Sequence, residues 1–179
     1  MARIGAIVAL GFFDGVHLGH QSIIQEMFKP QYSKLTPTVF TYEITTVQPQ
    51  TKQNISLIIS NKQKLEKLKL LGVEKVISLN FKEFFKMHPN EFFQQIIIDK
   101  LNAKVLVCGE NFKFGYKRTG DINLMQKFCK QKQLQLIVKP LLKVNETIIS
   151  SSLIRNLMQN NHQEAEKFLK YQQNLLKKE

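Results

Sequence analysis

Gly11-Phe12-Phe13-Asp14-Gly15-Val16-His17-Leu18-Gly19-His20 closes an apolar run that begins at Ile4, and this stretch decides the fold. The run over residues 4–13 is rich in small and branched side chains and has no polar caps, which reads as a first strand buried on both faces. A helix over 19–28 follows at once. The decapeptide therefore carries two imidazoles and several backbone N–H groups to the N-terminus of a helix. Gly15 and Gly19 let the backbone approach a ligand closely, and the positive end of the helix favours phosphate oxygens. The glycine spacing is neither the GxGxxG dinucleotide fingerprint nor an ATPase phosphate loop, since no Gly-Lys-Ser/Thr follows.

Outward from this point, strands and helices alternate. Residues 38–42 read as a second strand, and the polar, aperiodic stretch 43–55 with Pro49 as a long functional loop. Ser60 can cap a helix with Leu65, Leu68 and Leu71 at helical spacing, which Gly72 can end. Residues 76–79 form a short strand, and Pro89 opens a helix through Phe92, Phe93, Ile96 and Ile97 to about Leu101. A strand over 104–108, a helix over 121–132 and a strand over 134–138 complete the pattern. Such alternation implies an α/β fold: a parallel sheet with right-handed crossovers, helices on both faces, and ligands outside the carboxyl ends of the strands. Residues 171–179 have helical propensity and read as a polar surface extension.

The 179 residues, 43% of them apolar, suffice for one domain with a buried core, and we expect a single domain over 1–179. No run of about 18 apolar residues occurs, and Met1-Ala2-Arg3-Ile4 lacks the order of a signal peptide, so the expected location is cytoplasmic. Cys108 and Cys129 sit in apolar-periodic segments and read as reduced core thiols. A net charge of +12 fits a nucleic-acid partner, a site for small polyanions, or a lysine-rich surface. The basic residues are dispersed, with no arginine cluster and no interleaved aromatics, and a solvated surface is the leading reading. His17 and His20 are spaced as half of a zinc site would be. His88, His162 and the cysteines stand at unrelated places, so no metal ligands are assigned.

Three segments together resemble one family. Residues 11–20 resemble the GxFDGxHxGH signature of FAD synthetases, the adenylyltransferase module of bacterial bifunctional riboflavin kinase/FMN adenylyltransferases, within the HxGH nucleotidyltransferase superfamily. Val107-Cys108-Gly109-Glu110-Asn111-Phe112-Lys113-Phe114-Gly115, followed by Gly120-Asp121, looks like the family's VGxxFxFG stretch. Ile149-Ser150-Ser151-Ser152-Leu153-Ile154-Arg155 looks like its ISS(T/S)xIR motif. Read without the family, that last segment has serines opening a helix and Arg155 one turn beyond them, an arrangement suited to a phosphate chain. Phe40 is followed by Thr41-Tyr42-Glu43 where the family commonly has a proline-bearing turn. Ile148 and Ile149 stand where some members carry an arginine.

The resemblance implies a Rossmann-like nucleotidyltransferase fold and the reaction of ATP with FMN to give FAD and pyrophosphate, with Mg2+ on the nucleotide. It implies catalytic roles for His17, His20, Asn111 and Arg155. The ATP site implied is Gly11, Phe12, Phe13, Asp14, Gly15, His17, Gly19, His20, Ser151, Ser152 and Arg155, with His20 nearest the α-phosphate, where its charge would act. Asp14 is expected to fix the turn by hydrogen bonds rather than to bind magnesium. FMN is expected at Asn111, Phe112, Phe114 and Asp121. No specific nucleic acid or membrane partner and no C-terminal riboflavin kinase domain are expected. The alternatives are another HxGH nucleotidyltransferase with a different acceptor, or a flavin- or nucleic-acid-binding protein without catalysis.

Overall fold

The computed structural model describes residues 3–44 and 56–170, so most of the expected functional loop and the C-terminal extension fall outside the described residues. Five strands, β1 (Ala6–Leu10), β2 (Thr36–Glu43), β3 (Lys75–Asn80), β4 (Ala103–Gly109) and β5 (Gln135–Lys139), form one sheet in the order β3-β2-β1-β4-β5. Every pairing in it is parallel. All five residues of β1 are buried, as a central strand covered on both faces requires.

Alternate residues of β1 feed two cores. Ala6, Val8 and Leu10 pack with Phe92, Phe93, Ile96 and Ile97 of α4 (Pro89–Glu91 continued by Phe92–Lys100) and with Met125 and Cys129 of α5 (Ile122–Gln131). Ile7 and Ala9 face Ile24 of α1 (Leu18–Gln25) and Leu68 of α2 (Asn61–Leu70). The expected Rossmann-like α/β sandwich is therefore present. Between β1 and β4 the strand order reverses direction, and at such a switch point a crevice opens outside the carboxyl ends of the strands.

Local chemistry explains the element ends. Ser60 accepts from the Gln63 N–H and Gln63 returns a bond to the Ser60 N–H, a full capping box on α2. Gly72, at φ 85°, ends that helix as the Val73 N–H reaches back to the Leu68 carbonyl and the Gly72 N–H to that of Lys69. α3 (Phe81–Phe84) is a single turn. α4 starts at Pro89 as Pro89–Glu91 and continues as Phe92–Lys100 with widened π-type turns, exemplified by the Leu101 N–H on the Ile96 carbonyl.

Several boundaries differ from the sequence reading. β1 is shorter than 4–13: Ile4 is 65% exposed before it, and Phe12 and Phe13 lie in the turn beyond it. α1 gives way to a 3-10 turn at Glu26–Phe28 instead of running regularly to Phe28. A two-residue hairpin, β6 (Lys143–Val144) and β7 (Thr147–Ile148), precedes α6 (Ser151–Asn160) and α7 (His162–Leu169). The last two helices bury Ile154, Ala165 and Phe168 against Leu18 and Ile58, which docks them beside the signature turn.

Candidate active site

The signature turn leaves β1 where the Gly11 N–H makes its last bond to β2, on the Phe40 carbonyl. Phe13 then adopts the left-handed conformation at φ 54°, and a 3-10 turn over Asp14–Val16 leads to His17, the N-cap of α1. Gly15 sits at φ 83°, and a Cβ there would lie 3.0 Å from Leu169 Cδ2 and 3.1 Å from Ile58 Cγ2. A Cβ on Gly19 would stand 3.2 Å from the His17 ring and 3.4 Å from the Ile149 carbonyl. Both glycines admit close neighbours, the first of them α7 and the segment before α2.

His17 is buried and its Nδ1 accepts the His20 N–H at 3.4 Å, which leaves the proton of the neutral ring on Nε2, a donor. The His17 and His20 rings stack with centroids 3.6 Å apart. Burial, reinforced by the nearby Arg155 cation, pushes the His17 pKa down to about 4. Burial, with His17 and Lys64 adding to it, holds His20 well below the usual imidazole range. Both rings are therefore neutral near pH 7, and His20 carries no standing charge there, in contrast to the sequence expectation. Its Nδ1 is buried without a partner among the described residues. A buried polar atom without a partner is the exception in folded proteins, and a proton on this nitrogen would be a donor chemically suited to an anionic oxygen.

Asp14 is 2% exposed and organises the corner. Its carboxylate accepts the Ile58 N–H at 3.0 and 3.3 Å and pairs with Arg155 at 2.5 Å. Its carbonyl accepts the Ser151 hydroxyl at 3.2 Å, and Arg155 Nε donates to the Ser56 carbonyl at 2.7 Å. The Ser-Ser-Ser-x-x-Arg helix is thus brought to the signature turn. Ser150 is its N-cap, accepting the Leu153 N–H, while Ser152 is exposed. The Asp14 carboxylate oxygens are thus engaged by the Ile58 N–H and the Arg155 guanidinium. Among the described residues no group of three or more His, Cys, Asp or Glu side chains could hold a metal ion.

Across the switch point, β4 ends at Gly109, where a Cβ would stand 3.2 Å from Asn111 Oδ1. Asn111 is exposed at this edge, and Phe112 beside it is partly buried. Phe114 lies in the core against Phe92, and Asp121 caps α5 by accepting the Leu124 N–H. Asn111 and, in part, Phe112 are thus open to solvent beyond the end of β4, whereas Phe114 is a core residue and Asp121 a helix cap. Cys108 and Cys129 are free and buried, with thiol pKa values pushed up by burial to about 12 and about 11.

Sequence reasoning missed Lys64 and Thr41. Lys64 is 2% exposed, and its Nζ donates to the Tyr42 carbonyl at 2.8 Å and the Phe12 carbonyl at 3.4 Å. Burial lowers its pKa to about 8, against the opposing pull of Asp14 and Glu43. The Thr41 hydroxyl donates to the same Phe12 carbonyl at 2.9 Å. One signal was available: Lys64 precedes Leu68 by four residues, so it lies on the buried face of α2.

A strand-turn-helix that gathers two imidazoles, helix N-termini and the Asp14–Arg155 pair at the switch point of a parallel sheet defines an α/β protein of the Rossmann-like class, with an edge chemically suited to anions. The family model for FAD synthetase matches residues 1–153, and the chain belongs to that family. A bifunctional riboflavin kinase/FMN adenylyltransferase of Buchnera aphidicola (from Acyrthosiphon pisum) is 31% identical over 160 residues, covering 87% of this chain and 51% of the relative. An FAD synthetase of Listeria monocytogenes is 30% identical over 167 residues, covering 92% of this chain and 68% of that protein. A crystal structure described as a macrolide-efflux protein from Streptococcus pneumoniae superposes with a TM-score of 0.78 at 27% identity, covering 94% of this chain and 56% of that one. The chain spans about half the length of the Buchnera relative. Among the described residues no helix is long and apolar enough to cross a membrane.

Proposed function

We propose that this protein transfers the AMP half of ATP to FMN, making FAD and releasing pyrophosphate. The observation that carries the reading is the convergence of the two histidines, the Asp14–Arg155 pair and the serine-opened helix α6 on one edge of the sheet, in a chain of the FAD synthetase family. An oxygen of the FMN phosphate forms the new bond to the α-phosphorus of ATP as the bond from that phosphorus to the bridging oxygen breaks. Pyrophosphate departs with the electron pair. The nucleophile is already anionic, so the chain needs no covalent intermediate and little base catalysis. Its work is to align two anions and to place donors where charge builds.

In this scheme His17 and His20 act as neutral donors to the ATP phosphates, His20 closest to the α-phosphate. The N-terminus of α6, with Ser151, Ser152 and the free edge of Arg155, takes the distal phosphates with their magnesium. Asn111 and Phe112 face FMN, and Phe114 and Asp121 hold that loop in place. Both thiols being free fits a reducing compartment, and the reading places the enzyme in the cytoplasm. The test is chromatography of products after incubation with ATP, magnesium and either FMN or riboflavin. FAD and pyrophosphate in equal amounts from FMN are expected, with no FMN formed from riboflavin, because the described sheet presents one phosphate-binding edge. Absence of FAD, with AMP transferred to another acceptor, would replace the reading.

A further inference from the structure

Lys64 strips an ammonium group of most of its water to reach two carbonyls, although a leucine or methionine on that face of α2 would pack like its neighbours Leu68 and Leu71. One of those carbonyls, on Phe12, already has a donor in the Thr41 hydroxyl at 2.9 Å. The Lys64 ammonium also stands 4.8 Å from the centre of the Phe12 ring, which stacks on Tyr42 at 4.5 Å. Helix α2, the end of β2 and the signature turn are thus tied at a single peptide group.

That peptide has a reason to move. There is no cis bond among the described residues, so the unit joining Phe12 to Phe13 is trans and planar, with its C=O and N–H pointing in opposite directions. Because Thr41 and Lys64 draw the oxygen towards β2 and α2, the Phe13 N–H is aimed the other way, away from both elements. It meets no acceptor among the described residues. Phe13 holds φ 54°, an unfavourable value for a bulky side chain. Flipping the peptide would reverse φ of Phe13 into the ordinary negative range, relieving that strain. It would also turn a carbonyl oxygen, in place of an N–H, toward the phosphates.

We infer that Lys64, together with Thr41, is a positioning residue that locks the Phe12–Phe13 peptide with its N–H facing the nucleotide, so that the phosphate site is formed before ATP arrives. This rests on the adenylyltransferase reading. A lock of this kind acts on turnover and on ATP, leaves FMN binding alone, and is not needed for folding. The groups facing the ammonium are Asp14 and Glu43, which attract it, and His20, whose pKa is lowered first by burial and further by His17 and by this ammonium.

The experiment compares wild type, Lys64→Met and Thr41→Val for FAD formation, FMN affinity and melting temperature. Lys64→Met is expected to lose roughly tenfold to a hundredfold in turnover, the range for a misplaced phosphate donor, with FMN affinity within about threefold and a melting temperature equal to or above that of wild type, since an apolar residue replaces a buried charge. Turnover within threefold of wild type would overturn the lock, and so would a loss of activity that tracks a fall in melting temperature. Should Lys64→Met fail to fold, Thr41→Val decides: reduced turnover at unchanged melting temperature supports the lock, and unchanged turnover refutes it. If wild type makes no FAD, titration with α,β-methylene ATP separates the two claims. At least tenfold weaker binding by Lys64→Met keeps the lock while the acceptor assignment falls; equal binding, or none by wild type, removes the lock as well.

Discussion

Replacing Asp14 by alanine should destabilise the protein more than any surface substitution, and the structure gives the size of the effect. The carboxylate is 2% exposed and its partner Arg155 keeps about a quarter of its side chain in solvent, at 25%. Truncation strands the buried Ile58 N–H and leaves the guanidinium, among the described residues, with the Ser56 carbonyl. Breaking a fully buried pair costs about 3–5 kcal/mol, and the partial exposure of Arg155 puts this case near the lower end, about 3 kcal/mol. For a chain of this length that corresponds to a fall in Tm of roughly 6–12 °C. Arg155→Ala should cost a similar amount, about 3 kcal/mol, because it leaves the buried Asp14 carboxylate with the Ile58 N–H but without its counter-ion. The double variant should lose less than the sum, with a coupling of about 1–2 kcal/mol. Urea denaturation at pH 7 measures all three. An Asp14→Ala protein within about 0.5 kcal/mol of wild type, the usual range for a surface change, or strict additivity of the two changes, would refute the claim that this pair fastens α6 to the signature turn.

Four further outcomes are expected. His17 has a folded-state pKa of about 4 against 6.5 unfolded, so the unfolded chain binds more protons as pH falls through that window; stability held above pH 6.5 should decline by about 3 kcal/mol as pH drops to 4, seen in urea midpoints. His20→Ala should lower turnover by about a hundredfold with FMN binding largely intact, and near-normal turnover would remove His20 from the mechanism. Gly15→Ala forces a side chain into φ 83° and against Leu169 and Ile58; a loss of about 1–3 kcal/mol by thermal melting is expected. Duplex DNA should bind weakly, without sequence preference and with a steep loss of affinity in salt, since the basic residues are dispersed; tight sequence-dependent binding in a filter assay at physiological salt would contradict this.

Much of the architecture was legible because burial leaves a mark on sequence, but the mark records burial and not conformation. Phe12 and Phe13 extend the apolar run past Leu10, yet they belong to the turn, where Phe13 is buried edge-on to His20. The widened turns of α4 were invisible for a related reason: Phe92, Phe93, Ile96 and Ile97 lie on one face whether the helix closes on the fourth or the fifth residue. The β6–β7 hairpin turns through Asn145 and Glu146, both at positive φ, and glutamate gives no hint of that conformation. The caps at Ser60, Asp121 and Ser150, by contrast, bond to their own helices, and such local chemistry is what a sequence displays most directly.

The same distinction separates the parts of the site that were visible from those that were not. His17, His20, Gly15 and Gly19 lie within one decapeptide, so their cooperation could be read from spacing. The Asp14–Arg155 pair spans most of the chain, and its existence depends on how α6 docks. Lys64 was harder still, because Lys62, Lys67 and Lys69 make α2 look like a solvated basic helix, and one of four lysines turning inward changes neither composition nor apolar count. What distinguishes it is position: it occupies the place on the buried face where a further leucine would continue Leu68 and Leu71. A charged residue at a core position carries a desolvation cost that packing alone does not offset. In this protein the compensation is two carbonyls at the carboxyl edge of the sheet, one of them on the signature turn itself, and whether that tie bears on the chemistry is what the Lys64→Met comparison measures.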